Sequence, residues 1–225
     1  GSEMCIRDRF NDCGAFGSPN WLEFGPKYPH LVYVAADRGA GDENEGNGNM
    51  RILDLKNQYV GTALTEGDMG GTNRGRALAF FDENHMAVAV DQGDELRAAV
   101  YGFTRNREAP EGDERNYKMW GNRLALVNFK ACNTVTFHPV DGDMYFNSWD
   151  KGQFFKVEKQ QIQEIFDGTR TTPADKEVLF QMDNGWEYNI RIHPTGNYAY
   201  IVSINKHYIC LLYTSPSPRD RTRYR

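Results

Sequence analysis

A strand–turn–strand pattern recurs through this chain at a period near 56 residues. Four segments carry it: WLEFGPKYPHLVYVAADRG (21–39), ALAFFDENHMAVAVDQG (77–93), TVTFHPVDGDMYFNSWDKG (134–152) and IRIHPTGNYAYIVSIN (190–205). The last apolar residues of the first strands are Phe24, Phe80, Phe137 and Ile192, spaced by 56, 57 and 55 residues. Anchors in the second strands, Tyr33, Val88, Tyr145 and Tyr200, follow 9, 8, 8 and 8 residues later. A strand-built period of this size is the signature of propeller blades. The turns DENH, HPVDGD and HPTGN supply Asp, Asn, Pro and Gly where a hairpin must reverse. Second strands such as LVYVAA, MAVAV and YAYIV are almost continuously apolar, as expected of strands covered on both faces.

Two further strands complete each period. Third strands are predicted at MRILDL (50–55), RAAVYGF (97–103) and QFFKVE (153–158), and fourth strands at YVGTAL (59–64), RLALVNF (123–129) and EVLFQM (177–182). Four strands per period make one blade. The expected fold class is therefore all-β, an incomplete β-propeller of about 3.5 four-stranded antiparallel blades. Blade units are expected near 18–66, 77–129, 134–183 and 187–209. Helix is predicted only at QQIQEIF (160–166), with Gly168 at its C-terminal end, decorating the connection before a fourth strand. GDMGGTNRG (67–75) and NREAPEGDERN (106–116) read as loops. An α/β alternative needs amphipathic helices of about 10 residues or more between the strands, and the pattern supplies none.

The two termini have a different origin. GSEMCIRDR (1–9) and the stretch beginning CLLYTSPSPRD at Cys210 match translations of the two strands of a transposase-type sequencing adapter. Such segments are set aside before fold reasoning, which leaves 10–209 as native and 210–225 as adapter-derived. Setting aside six basic and three acidic residues at the ends leaves 20 basic against 28 acidic, a net charge of −8. The RDRTRYR tail then no longer counts as a nucleic-acid arm, and nucleic acid is excluded as a partner because its affinity depends on clustered Lys and Arg. No apolar run reaches the roughly 18 residues needed to span a bilayer. Cys13 and Cys132 remain as native cysteines, without metal-ligand spacing, and their disulfide state is left open.

Candidate site residues follow from propeller geometry. Loops between second and third strands share one face with the loops that enter first strands. That face would gather Asp37, Arg38, Asp91, Asp94, Trp149, Asp150, Lys151 and Asn205 with Arg74, Arg76, Asn133, Trp186 and Tyr188. Aromatic rings beside carboxylates, amides and cations suit a polar organic ligand such as a saccharide. Asp42, Glu43 and Glu45 in GAGDENEGNGN could hold Ca²⁺, but EF-hand spacing is missing and a solvated loop is the simpler reading. His138 and His193 occupy equivalent HP turns, which points to a structural role over a catalytic metal. His30, His85 and His207 have no ligand spacing. Phosphate-loop, Gly-x-Ser-x-Gly and His-Glu-x-x-His motifs do not occur in the chain, so no catalytic or metal residue is assigned.

The strings MRILDLKNQYVGT, FHPVDGDMYFNSWDKGQFFKV and GWEYNIRIHPTGNYAYIVSINKHYI resemble the NHL-repeat β-propellers of Bacteroidetes-type surface proteins, in which the propeller follows an IPT/TIG domain. The resemblance covers nearly all of 18–209, and the HP-x-x-G-x-x-Y turn is its most recognisable part. It implies six blades, which at this period need roughly 340 residues, and outer blades whose exposed edges favour association. It also implies an extracytoplasmic location at the cell surface or in the periplasm. The implied role is a non-enzymatic binding or scaffold module for a glycan or a surface protein, without a cofactor. The alternative it allows is a propeller hydrolase or lyase with a metal in the central channel.

Overall fold

In the computed structural model the described residues are 18–37, 50–70, 73–92, 99–105, 120–129, 132–148, 152–181, 187–203 and 208–213. They form four antiparallel sheets that follow one another along the chain. The first contains β1 (Ser18–Phe24), β2 (Leu31–Asp37), β3 (Met50–Asp54) and β4 (Tyr59–Leu64). The second contains β5 (Asn73–Phe80), β6 (His85–Gln92), β7 (Ala99–Arg105) and β8 (Trp120–Val127). The third holds β9 (Cys132–Phe137), β10 (Met144–Ser148), β11 (Gln153–Val157) and β12 (Glu177–Gln181). The fourth holds β13 (Glu187–Ile192), β14 (Tyr198–Ser203) and β15 (Tyr208–Tyr213). β15 crosses the boundary at 209, so four residues assigned to adapter lie within its ladder.

Strand order within every sheet is sequential, and the first strands pack one against the next from β1 through β13. Phe24, Phe80, Phe137 and Ile192 pair with Val32, Met86, Met144 and Ala199, so the four anchors occupy equivalent strands. Each hairpin closes from the residue after its anchor. The N–H of Gly25, Phe81, His138 and His193 donates to the carbonyl of Leu31, His85, Asp143 and Tyr198, at 2.8–2.9 Å. A turn that repeats this closely fixes strand register, and register fixes which side chains are covered.

Coverage follows the sheet stack. Met86 through Val90 on β6 are all fully buried, as are Met144 and Phe146 on β10. One cluster, including Tyr33, Leu78, Met86, Phe103, Val135 and Phe146, runs through the first three sheets. A smaller one of Tyr145, Phe154, Ile190, Ala199 and Ile201 joins the third sheet to the fourth. β14 departs from the expectation of a strand covered on both faces. Ala199 and Ile201 are buried, but Tyr200 and Val202 remain 42% and 39% exposed. At the opposite end Leu22 and Phe24 on β1 are each 55% exposed. These two faces flank the stack, so alternate residues there meet no neighbouring sheet.

The predicted helix is α2 (Lys159–Phe166), placed as expected between third and fourth strands. It leaves its own sheet and packs on the second. Phe166 lies 5.6 Å from Phe81 and 4.4 Å from His85 between ring centroids, and the N–H of Ala174 donates to Leu126 O at 2.8 Å. Gly102 makes this approach possible, because a Cβ there would meet Phe166 at 2.7 Å and Leu126 at 2.9 Å. The loop expected over 67–75 is different. Glu66–Met69 forms a short helix, α1, and β5 already starts at Asn73. The Thr65 hydroxyl and Asp68 carboxylate exchange hydrogen bonds with each other's backbone N–H across that turn, a reciprocal cap that a polar Gly-rich string hides. Gly102→Ala is expected to cost about 1–3 kcal/mol through overpacking. A denaturant midpoint unchanged from the parent protein would contradict that contact.

Candidate functional site

The antiparallel register brings the start of each first strand opposite the end of its second strand. Ser18 pairs with Asp37, Asn73 with Gln92, Cys132 with Ser148 and Glu187 with Ser203. The predicted positions that are described, Asp37, Arg74, Arg76, Asp91, Asn133 and Tyr188, lie toward this end of their sheets. Asp37, Arg74, Asp91 and Tyr188 lie inside β2, β5, β6 and β13 rather than in loops, because pairing continues to the rim. Arg74 and Asp91 are direct ladder partners. Arg38, Asp94, Trp149, Asp150, Lys151, Trp186 and Asn205 lie outside the described residues, as do Asp42, Glu43, Glu45, His207 and Cys13.

All four first strands carry a one-residue irregularity at the same rung. The register shifts between Pro19 and Trp21, between Gly75 and Ala77, and between Glu187 and Asn189. In β9 it shifts where Cys132 and Val135 face Ser148 and Phe146. The extra residues are Asn20, Arg76, Asn133 and Tyr188, each four positions before its anchor. A bulge leaves one residue unpaired and re-aims the local backbone, and bulges concentrate next to functional sites. Arg76, Asn133 and Tyr188 were expected at the site as loop residues. Asn20 was not, although the same offset from Phe24 points to it.

The third sheet shows how one bulge is compensated. The Asn147 Oδ1, fully buried, accepts the Thr134 N–H at 3.0 Å on the disturbed rung. Cys132 donates its thiol to Thr134 O at 3.2 Å. Burial pushes that thiol up to about 12, against smaller lowering by the backbone at Thr134 and Asn147. At neutral pH it is a packed thiol, not a nucleophile.

Further along the first strands, Arg191 joins the first and fourth sheets. Its guanidinium lies 3.9 Å from the Trp21 ring centroid and donates to Glu23 Oε2 at 2.9 Å. The guanidinium and carboxylate neutralise one another there. The HP-turn histidines serve the scaffold. His138 is buried, and its Nε2 lies 2.8 Å from Gly196 O in the next sheet's turn, while its Nδ1 accepts the Asp141 N–H at 3.0 Å. His193 bonds its own turn through Thr195 and stacks on Tyr198. Among the described residues no group of three His, Cys, Asp or Glu is arranged to hold a metal, and no helix is long and apolar enough to cross a membrane.

No protein-family model matches the chain, and no curated protein matches it. Solved structures do. A candidate phosphatase from Bacteroides thetaiotaomicron is 29% identical with a TM-score of 0.69, over 87% of this chain and 42% of its own. An auxiliary nutrient binding protein from the same organism is 28% identical with a TM-score of 0.62, over 87% and 38%. One from Bacteroides ovatus is 23% identical with a TM-score of 0.62, over 89% and 39%. The fold is an incomplete β-propeller. The chain spans about two fifths of the length of these proteins.

Cys132 gives the site's packing a direct check. Native protein at pH 8 is expected to leave Cys132 unmodified by iodoacetamide under conditions that alkylate it fully in denaturant. Peptide mapping that finds Cys132 labelled at the denatured rate would contradict the buried thiol.

Proposed function

We propose that this propeller is a non-enzymatic, extracytoplasmic binding module that recognises a glycan through the rim where second strands end and first strands begin. The observation that carries the reading is the bulge repeated at one rung of four successive sheets. Four re-aimed backbone positions at one height on the innermost strands give a ligand site its points of attachment. The likeness to an auxiliary nutrient binding protein at 28% identity supports a binding role. A surface protein is the other ligand this rim would fit. An NHL repeat type, an origin in the Bacteroidetes and an IPT/TIG neighbour domain belong to the same proposal.

The rim residues divide into two roles. Trp149, between Ser148 at the end of β10 and Asp150, is assigned to the ligand, where an indole supplies a stacking surface without a charge. Asp37, Arg38, Arg74, Arg76, Asp91, Asp94, Asp150, Lys151, Tyr188 and Asn205 supply polar contacts. Trp186 is assigned to packing. A hydrolase with a channel metal is the second reading, favoured by the likeness to a candidate phosphatase. Metal-dependent turnover of p-nitrophenyl phosphate would select it over the binding module.

The test is a pair of substitutions in the full-length natural protein. Trp149→Ala should weaken glycan binding about tenfold or more with the melting temperature nearly unchanged. Trp186→Ala should instead lower stability by about 3–5 kcal/mol, as loss of a packed Trp does. Full glycan affinity in Trp149→Ala would remove the rim from the binding site.

A further inference from the structure

Every junction between successive sheets is built the same way. The second strand of one sheet seats on the first strand of the next, β2 on β5, β6 on β9 and β10 on β13. From the second strand come the repeat anchors Tyr33, Val88 and Tyr145, and from the first strand come Leu78, Val135 and Ile190, each two positions before its own anchor. All six are buried. Tyr33 meets Phe80 edge-on at 5.0 Å between ring centroids, and Tyr145 shares a cluster with Ile190 and Ile192.

The same positions recur at the two ends of the stack, where they are exposed. Tyr200 and Val202 on β14 stand where Tyr33 and Ala35 stand on β2. Leu22 and Phe24 on β1 stand where Leu78 and Phe80 stand on β5. Val34 and Val32, the ladder partners of Leu22 and Phe24, are already buried, so the open strip of the first sheet is β1, the strand a junction uses. The fourth sheet therefore presents one half of a junction and the first sheet presents the other. Exposed apolar side chains grouped on one surface mark an interaction site. The chain does not satisfy its own ends. Arg191 reaches from β13 to Glu23 at 2.9 Å and to Leu22 O at 3.5 Å, yet all four apolar side chains stay open.

We infer that the fourth sheet of one copy docks on the first sheet of a second copy, with Tyr200 and Val202 against Leu22 and Phe24. The contact is head to tail, because its two halves lie on different surfaces of the chain, and such contacts either close into a ring or run on as a filament. It continues a junction that the chain already makes three times within itself. Sheet faces form it, whereas the unpaired strand edges take no part. It does not rest on the glycan-binding reading.

Sedimentation of the 225-residue chain over a concentration series tests the docking. The average mass of the parent chain should rise with concentration to at least that of two copies. Tyr200→Lys and Phe24→Lys each put a charge into the junction and should weaken association about tenfold or more. Mixed in equal amounts, these two variants should form a dimer and nothing larger. Phe24→Lys keeps an intact fourth sheet and Tyr200→Lys an intact first sheet, so one good junction remains. Both side chains are partly exposed, and the variants should melt near the parent temperature. Val202→Ser and Leu22→Ser, milder changes in the same two strips, replace any lysine variant that does not fold. A parent chain that stays monomeric overturns the inference and leaves these faces to a different protein or to further sheets. Association undiminished in both single variants, or variants that fail to pair when mixed, also overturns it.

Discussion

The stack depends on second strands that are apolar on both faces, β6 most completely. Met86 to Val90 is apolar at every position and buried at every position. A sheet built around such a strand has two apolar faces and is stable only between two other sheets. Face-to-face stacking then aligns the innermost strands, and alignment puts equivalent residues of β1, β5, β9 and β13 at equal heights. The rim and the ring of bulges are consequences of that alignment. Neither is a property of one sheet alone.

The architecture was legible in the sequence because its determinants are local. Alternation, turn residues and a fixed period located the sheets, and β4 was placed to the residue at Tyr59–Leu64. The helix was found one residue short, at Lys159–Phe166. The candidate site was legible only in outline. Arg76 and Tyr188 read as loop residues, since a bulge is defined by a partner strand that the sequence does not show. The start of β5 was missed for the same reason: Asn73 to Gly75 are polar or small, and they are strand only because β6 lies opposite.

The HP turn has a physical explanation that its hairpin role does not exhaust. His138 meets the carbonyl of Gly196, one period later, at 2.8 Å. Gly196 holds φ +74, and a Cβ on it would fall 2.5 Å from the His138 ring. The turn of the third sheet and the turn of the fourth are therefore cut to fit one another. The repeat of this motif records a contact between sheets as well as a reversal within one.

The placement of α2 changes how the array can come apart. A stack in which each sheet touches only its neighbours frays from its ends, one unit at a time. Phe166 and Ala174, though they belong to the segment between β11 and β12, are fastened to the second sheet. The third sheet cannot leave without pulling this strap from Gly102 and Leu126, so the second and third sheets open as one cooperative block. The fourth sheet is held differently, by the small cluster of Tyr145, Phe154, Ile190, Ala199 and Ile201, by the His138–Gly196 contact with the third sheet and by Arg191 on the first. Amide protection measured along the chain should therefore rise and fall together from β5 to β12.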